Sequence, residues 1–74
     1  IHYALKERTR ATIVIYNLLG QRVRTLVNAV EGPGYREVIW DGRNDAGVPV
    51  SSGIYICRFT AGKFTAVRKM ALIR

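Results

Sequence analysis

The run A-T-I-V-I-Y-N over residues 11–17 is the feature that most narrows what this chain can fold into. β-Branched side chains crowd a helix and suit a pleated surface, and here apolar residues occupy both alternating faces. A strand of that kind belongs inside a sheet, covered on both sides, not at an edge. It runs into N-L-L-G at residues 17–20. There the Asn17 side chain can bond nearby backbone, and Gly20 can take the positive φ that closes a bulged hairpin. The return segment, R-V-R-T-L-V at residues 22–27, alternates imperfectly. Val23 and Val27 share a face while Leu26 points the other way, a conflict that a β-bulge is one way to resolve.

Strand patterns fit most of the remaining chain, and helical periodicity fits badly. Ile1, Tyr3 and Leu5 alternate with His2, Ala4 and Lys6, followed by a polar connection over residues 6–10. Residues 28–34 contain G-P-G, which cannot continue a ladder and reads as a loop. Arg36, Val38 and Trp40 then alternate with Tyr35, Glu37 and Ile39 in a fourth strand, where Trp40 is the expected centre of the core. The longest connection is D-G-R-N-D-A-G-V-P-V-S-S at residues 41–52. A long strand follows at 53–61, then a short reversal at Ala61, Gly62 and Lys63. A last strand at 64–73 places Met70 and Leu72 in the core. Short strands with turn signals between them, and no room for a helix, argue for an all-β sandwich or small barrel.

Seventy-four residues make a single domain, residues 1–74. A chain of this size buries only about 60% of the surface its unfolded form exposes. Ile1 in place of a methionine leads us to expect a fragment or processed part of a larger protein. No stretch approaches the roughly 20 apolar residues of a membrane helix, so the chain is expected not to be membrane-embedded. Cys57 is the single cysteine and sits in an apolar run, where it reads as a small core hydrophobe. The net charge of +7 makes anionic partners conceivable. The cations are scattered and form no block, which favours a solubility role and gives no nucleic-acid partner.

Residues that carry chemistry are scarce, and the chain is read as a non-enzyme with no cofactor. His2 is the only histidine, so neither a catalytic triad nor a histidine-based metal site can be assembled. Asp41, Asn44 and Asp45, between Asp41 and Gly47, are close-spaced oxygen donors of the kind calcium uses. The same residues are ordinary in consecutive turns, and the turn reading is preferred. Arg22, Arg24 and Arg36 would form a basic face if Arg24 stood opposite Arg36 on one hairpin, or a solvated face that discourages sheet stacking. Tyr16, Tyr35 and Tyr55 read as packing residues. The final segment places adjacent cations before an apolar alternation. Arg68, Lys69, Met70, Ala71, Leu72, Ile73 and Arg74 form a closing strand that a partner could also read by strand addition.

Four motifs in order carry a resemblance along nearly the whole chain. They are I-x-Y-x-L (Ile1, Tyr3, Leu5), I-Y-N-L-L-G-Q-R-V-R-T-L-V (15–27), W-D-G-R-N-D-A-G-V-P-V-S-S-G-I-Y (40–55) and R-K-M-A-L-I-R (68–74). Together they resemble the immunoglobulin-like C-terminal domain of bacterial type IX secretion cargo, related to the immunoglobulin-like domain of flagellar hook-capping proteins. The resemblance implies a small immunoglobulin-like antiparallel β-sandwich of about six to seven strands. It further implies a sorting module of a secreted or cell-surface bacterial protein, with residues 68–74 recognised by outer-membrane secretion machinery. The alternative is a structural or assembly domain of a surface filament, hook cap or multidomain extracellular protein, contacting neighbouring domains or subunits. The family's Pro-Asn-Pro element ahead of the first strand is absent here. An edge strand left unpaired for that reason would permit self-association.

Overall fold

The computed structural model describes residues 1–73. Its strands are β1 (His2–Leu5), β2 (Thr9–Tyr16), β3 (Arg22–Glu31), β4 (Gly34–Glu37), β5 (Gly53–Ala61) and β6 (Phe64–Leu72). They form two antiparallel sheets, one of two strands in the order β1-β4 and one of four in the order β3-β2-β5-β6. Of the two all-β architectures that the strand spacing allows, a sandwich and a small barrel, the sandwich forms.

The apolar run at residues 11–17 becomes β2, paired on both sides as its composition requires. Ala11, Ile13 and Ile15 are fully buried on its inner face, while Thr12, Val14 and Tyr16 are half-buried on the outer one. Part of that outer cover is Arg58 of β5. Its guanidinium carbon lies 5.0 Å from the centre of the Tyr16 ring, and Nη2 donates to the Tyr16 hydroxyl at 2.6 Å. A long cationic stem can shield apolar surface while its head stays wet.

The imperfect alternation of β3 is resolved by two bulges. Ile13 pairs with Val27 and Val14 with Thr25, so Leu26 is an extra residue; Ile15 pairs with Arg24 and Tyr16 with Arg22, so Val23 is another. With these offsets Val23, Leu26 and Val27 all pack against the core. The preceding turn closes as its residues suggest. Asn17 Oδ1 accepts from the backbone N–H of Leu19 and of Gln21, both at 3.0 Å, and Gly20 has φ +82°. The β5–β6 hairpin turns on Gly62, whose φ of +59° admits the tight two-residue loop between paired Ala61 and Phe64.

Three sequence expectations are corrected. Residues 28–34 are not one loop, because β3 continues to Glu31. Pairing with β2 supplies its ladder up to Thr9↔Glu31, which leaves only the glycine–proline step to break it. The fourth strand ends at Glu37, although the alternation persists: Arg36, Val38 and Trp40 are half-buried, and Tyr35, Glu37 and Ile39 exposed. The core is centred on Ile13 and Ile15, not on Trp40, which packs at its margin.

Aromatic contacts and one polar cluster join the two layers. Tyr3 of β1 meets Phe59 of β5 at 5.2 Å, and Trp40 meets Tyr55 edge-on at 5.1 Å. The Tyr3 hydroxyl donates to Glu31 Oε1 at 2.6 Å, tying β1 to the end of β3. Arg36 Nε is buried without a hydrogen bond and stands 3.7 Å from the same Glu31 oxygen, an ion-pair distance too long for a hydrogen bond. Burial, reinforced by the Glu31 carboxylate, pushes the Tyr3 pKa up to about 12.

Two outcomes follow. Ile13→Ala is expected to remove about 2–5 kcal/mol, read as a lower urea midpoint at unchanged slope. That is a large share of the roughly 4–11 kcal/mol typical of a chain this long. The second concerns alkali. An unfolded tyrosine loses its proton near pH 10, whereas folded Tyr3 holds it to about 12. The folded state then binds more protons, so the Tyr3 contribution is intact below pH 10 and is lost as pH rises through 12. Tyr3→Phe should flatten this part of the stability–pH curve.

Candidate functional site

The connection between β4 and β5 has the highest density of oxygen donors, and each named donor is engaged by the chain's own backbone. Asp41 Oδ1 accepts from the Arg43 N–H at 3.1 Å. Asn44 Oδ1 accepts from Ala46 N–H and Val48 N–H, both at 3.0 Å. Trp40 Nε1 donates to the Arg43 carbonyl at 2.9 Å, and Asn44 N–H to the Val48 carbonyl at 2.9 Å. These are consecutive side-chain-capped turns, as the turn reading expects. Among the described residues no group of three or more His, Cys, Asp or Glu is placed to hold a metal ion.

Asp45 has a separate task. Its Oδ1 accepts from Thr25 N–H at 2.9 Å, and its own N–H donates to the Val23 carbonyl at 3.0 Å. One residue thus takes a donor and an acceptor on the outer edge of β3, as a neighbouring strand would. Arg22 Nε stands 3.6 Å from Asp45 Oδ2, and Arg24 Nη1 donates to the Asn44 carbonyl at 3.2 Å. The loop is therefore an edge cap. Nothing in its sequence points to Asp45 in this role, because its partners lie 20 or more residues earlier in the chain.

The same geometry dissolves the proposed arginine face. β3 pairs with β2, and β4 with β1 in the other sheet, so Arg24 faces Ile15 and Arg36 faces Tyr3. Arg36 instead serves Glu31 and the Gly32 carbonyl. Of Tyr16, Tyr35 and Tyr55, two pack or bond: Tyr16 under Arg58, and Tyr55 in the core with its hydroxyl donating to the Ser51 carbonyl at 2.7 Å. Tyr35 is exposed. Cys57 is a buried free thiol whose pKa burial pushes up, against opposing pulls from the Ile1 ammonium and Arg68. A raised thiol suits the core-hydrophobe reading.

Of the closing-strand residues, Arg68 to Leu72 lie on β6, an edge of the larger sheet, and Ile73 follows its end. Arg68, Lys69, Ala71 and Ile73 are exposed, while Met70 and Leu72 pack against the core. Arg74 lies outside the described residues. Strand pairing also gathers exposed apolar groups at one end of the sandwich. Tyr16 pairs with Ile56 near the start of β5, and Gly53 with Leu72, so the Asn17 turn, the start of β5 and the end of β6 lie together. The Arg22–Asp45 ion pair brings the capping loop to that end as well. Leu18, Leu19, Val48, Ile54 and Ile73 are all exposed there.

The two-layer arrangement, the antiparallel ladders and the capped loop define a small immunoglobulin-like β-sandwich, built around packing and backbone pairing. The family model of the FlgD Ig-like domain matches residues 2–63, and the chain belongs to that family. It is thereby related to the immunoglobulin-like domain of flagellar hook-capping proteins. No curated protein and no solved structure matches it significantly.

Asp45→Ala is expected to lower stability by about 0.5–1.5 kcal/mol, the ordinary worth of the lost Thr25 hydrogen bond. It should also raise light scattering on concentration, because the β3 edge opens. The urea midpoint is expected to be the same in calcium and in chelator.

Proposed function

We propose that the chain is a non-catalytic structural and assembly domain of a bacterial secreted or surface protein, contacting neighbouring domains or subunits. The observation that carries this is the apolar end of the sandwich, with Leu18 and Leu19 at 68% and 84% exposure on a hairpin tip and Val48, Ile54 and Ile73 exposed beside them. Exposed apolar groups gathered at one place mark interaction sites, whereas scattered ones need no explanation. Membership of the FlgD Ig-like family supports the same reading. No helix among the described residues is long and apolar enough to cross a membrane.

A second reading is export sorting, with residues 68–74 engaged by outer-membrane secretion machinery. It is favoured by the position of Arg68 and Lys69, exposed on an uncapped edge strand. One pair of measurements separates the two. Under assembly, sedimentation should show concentration-dependent association that the double variant Leu18→Ser, Leu19→Ser abolishes; a strict monomer counts against it. Under sorting, a fused reporter should lose export when residues 68–74 are deleted, and export at the intact level rejects that reading.

A further inference from the structure

The two sheets are unequal, and the smaller one leaves part of the larger uncovered. Between β1 and β6 lies a groove of about 580 Å³, lined by residues of β1, β5 and β6 with Ile13. Its apolar walls include Tyr3, Phe59, Phe64, Ala66 and Met70.

Two further features show what the groove accepts. The first is a free strand edge. Val38 N–H donates to the Ile1 carbonyl at 2.9 Å, so Ile1 and Val38 form a hydrogen-bonded pair that continues the β1–β4 ladder. Alternation along an antiparallel ladder then turns the N–H and C=O of His2 and Ala4 away from β4. Both residues line the groove. The second is a cation. Arg68 pairs with Cys57 across β5 and β6, so it shares the inner face of the sheet with that buried thiol. It lines the groove and pairs with no carboxylate among the described residues.

We propose that this groove binds an extended segment of another polypeptide, apolar on one face and carrying a carboxylate that meets Arg68. The segment adds to the free edge of β1, so that main-chain bonds to His2 and Ala4 give affinity and the Arg68 pair fixes register. Charge selects this occupant over a second copy of the chain. Of its five acids, Glu31, Asp41 and Asp45 each lie beside an arginine, and Glu37 Oε2 stands 3.4 Å from His2 Nε2. The fifth, Glu7, is flanked by Lys6 and Arg8. A second copy would bring +7 against +7. The groove is distinct from the apolar end of the sandwich and goes beyond the assembly reading.

The test uses the 74-residue chain, ¹⁵N-labelled, and a short synthetic peptide of alternating threonine and valine with one central glutamate. Binding should shift the amide signals of His2, Ala4 and Arg68 and slow the exchange of the His2 and Ala4 amides. Arg68→Glu, whose side chain is exposed and whose fold is checked by circular dichroism, should weaken binding by about tenfold or more. The same peptide with lysine at its centre should bind Arg68→Glu better than the unsubstituted chain. The proposal is overturned if neither peptide binds, or if both bind equally to both proteins. It is also overturned if the groove amides become protected by self-association without peptide.

Discussion

Two neighbouring inward positions on β2, Ile13 and Ile15, are the largest side chains that are wholly buried, and the rest of the sandwich exists to keep water from them. A chain of 74 residues has little surplus surface to bury, so the lid over this pair cannot be heavy. It consists of a two-stranded sheet and the loop that follows it. Tyr3 holds one part of the lid to Phe59, and Trp40 holds another to Tyr55. Both anchors meet β5, the strand next to β2, so the central pair of strands is both floor and fastening.

Polar groups near the core follow the same economy. Glu31 accepts from the Tyr3 hydroxyl and stands at ion-pair distance from the Arg36 guanidinium, one acid serving a hydrogen bond to one strand of the small sheet and charge balance to the other. The acid-rich loop looks, by composition, like the place where chemistry happens. Its oxygens are spent on backbone N–H groups, and backbone N–H groups are what a small β-protein most needs to satisfy.

Local features were readable in the sequence, and pairing across distance was not. The central strand, the Asn17 turn, the need for a bulge in β3 and the core role of Cys57 all follow from short-range pattern. The partner of each strand does not, and the arginine face failed for that reason: Arg24 and Arg36 are near in sequence and lie in different sheets. The extent of β3 was missed because residues 28–31 carry weak strand signals and are held by the ladder to β2. Asp45 reads by composition as a possible ligand, and its role as an edge cap follows only from the passage of β3 beside it. Arg68 reads in sequence as part of a basic ending; its place on the inner face follows from the register with Cys57.

The capped edge of β3 has a consequence for growth. A sheet that can add strands at both sides can extend without limit, one molecule after another, into a ribbon. Here one side is bulged and occupied by Asp45, and β6 forms the other. Two molecules joined through β6 would use up the available side of each and stop at a closed pair with a twofold axis. Growth through the edges of the four-stranded sheet is thus terminated by construction. Any longer array that contains this domain has to be propagated by a surface outside that sheet.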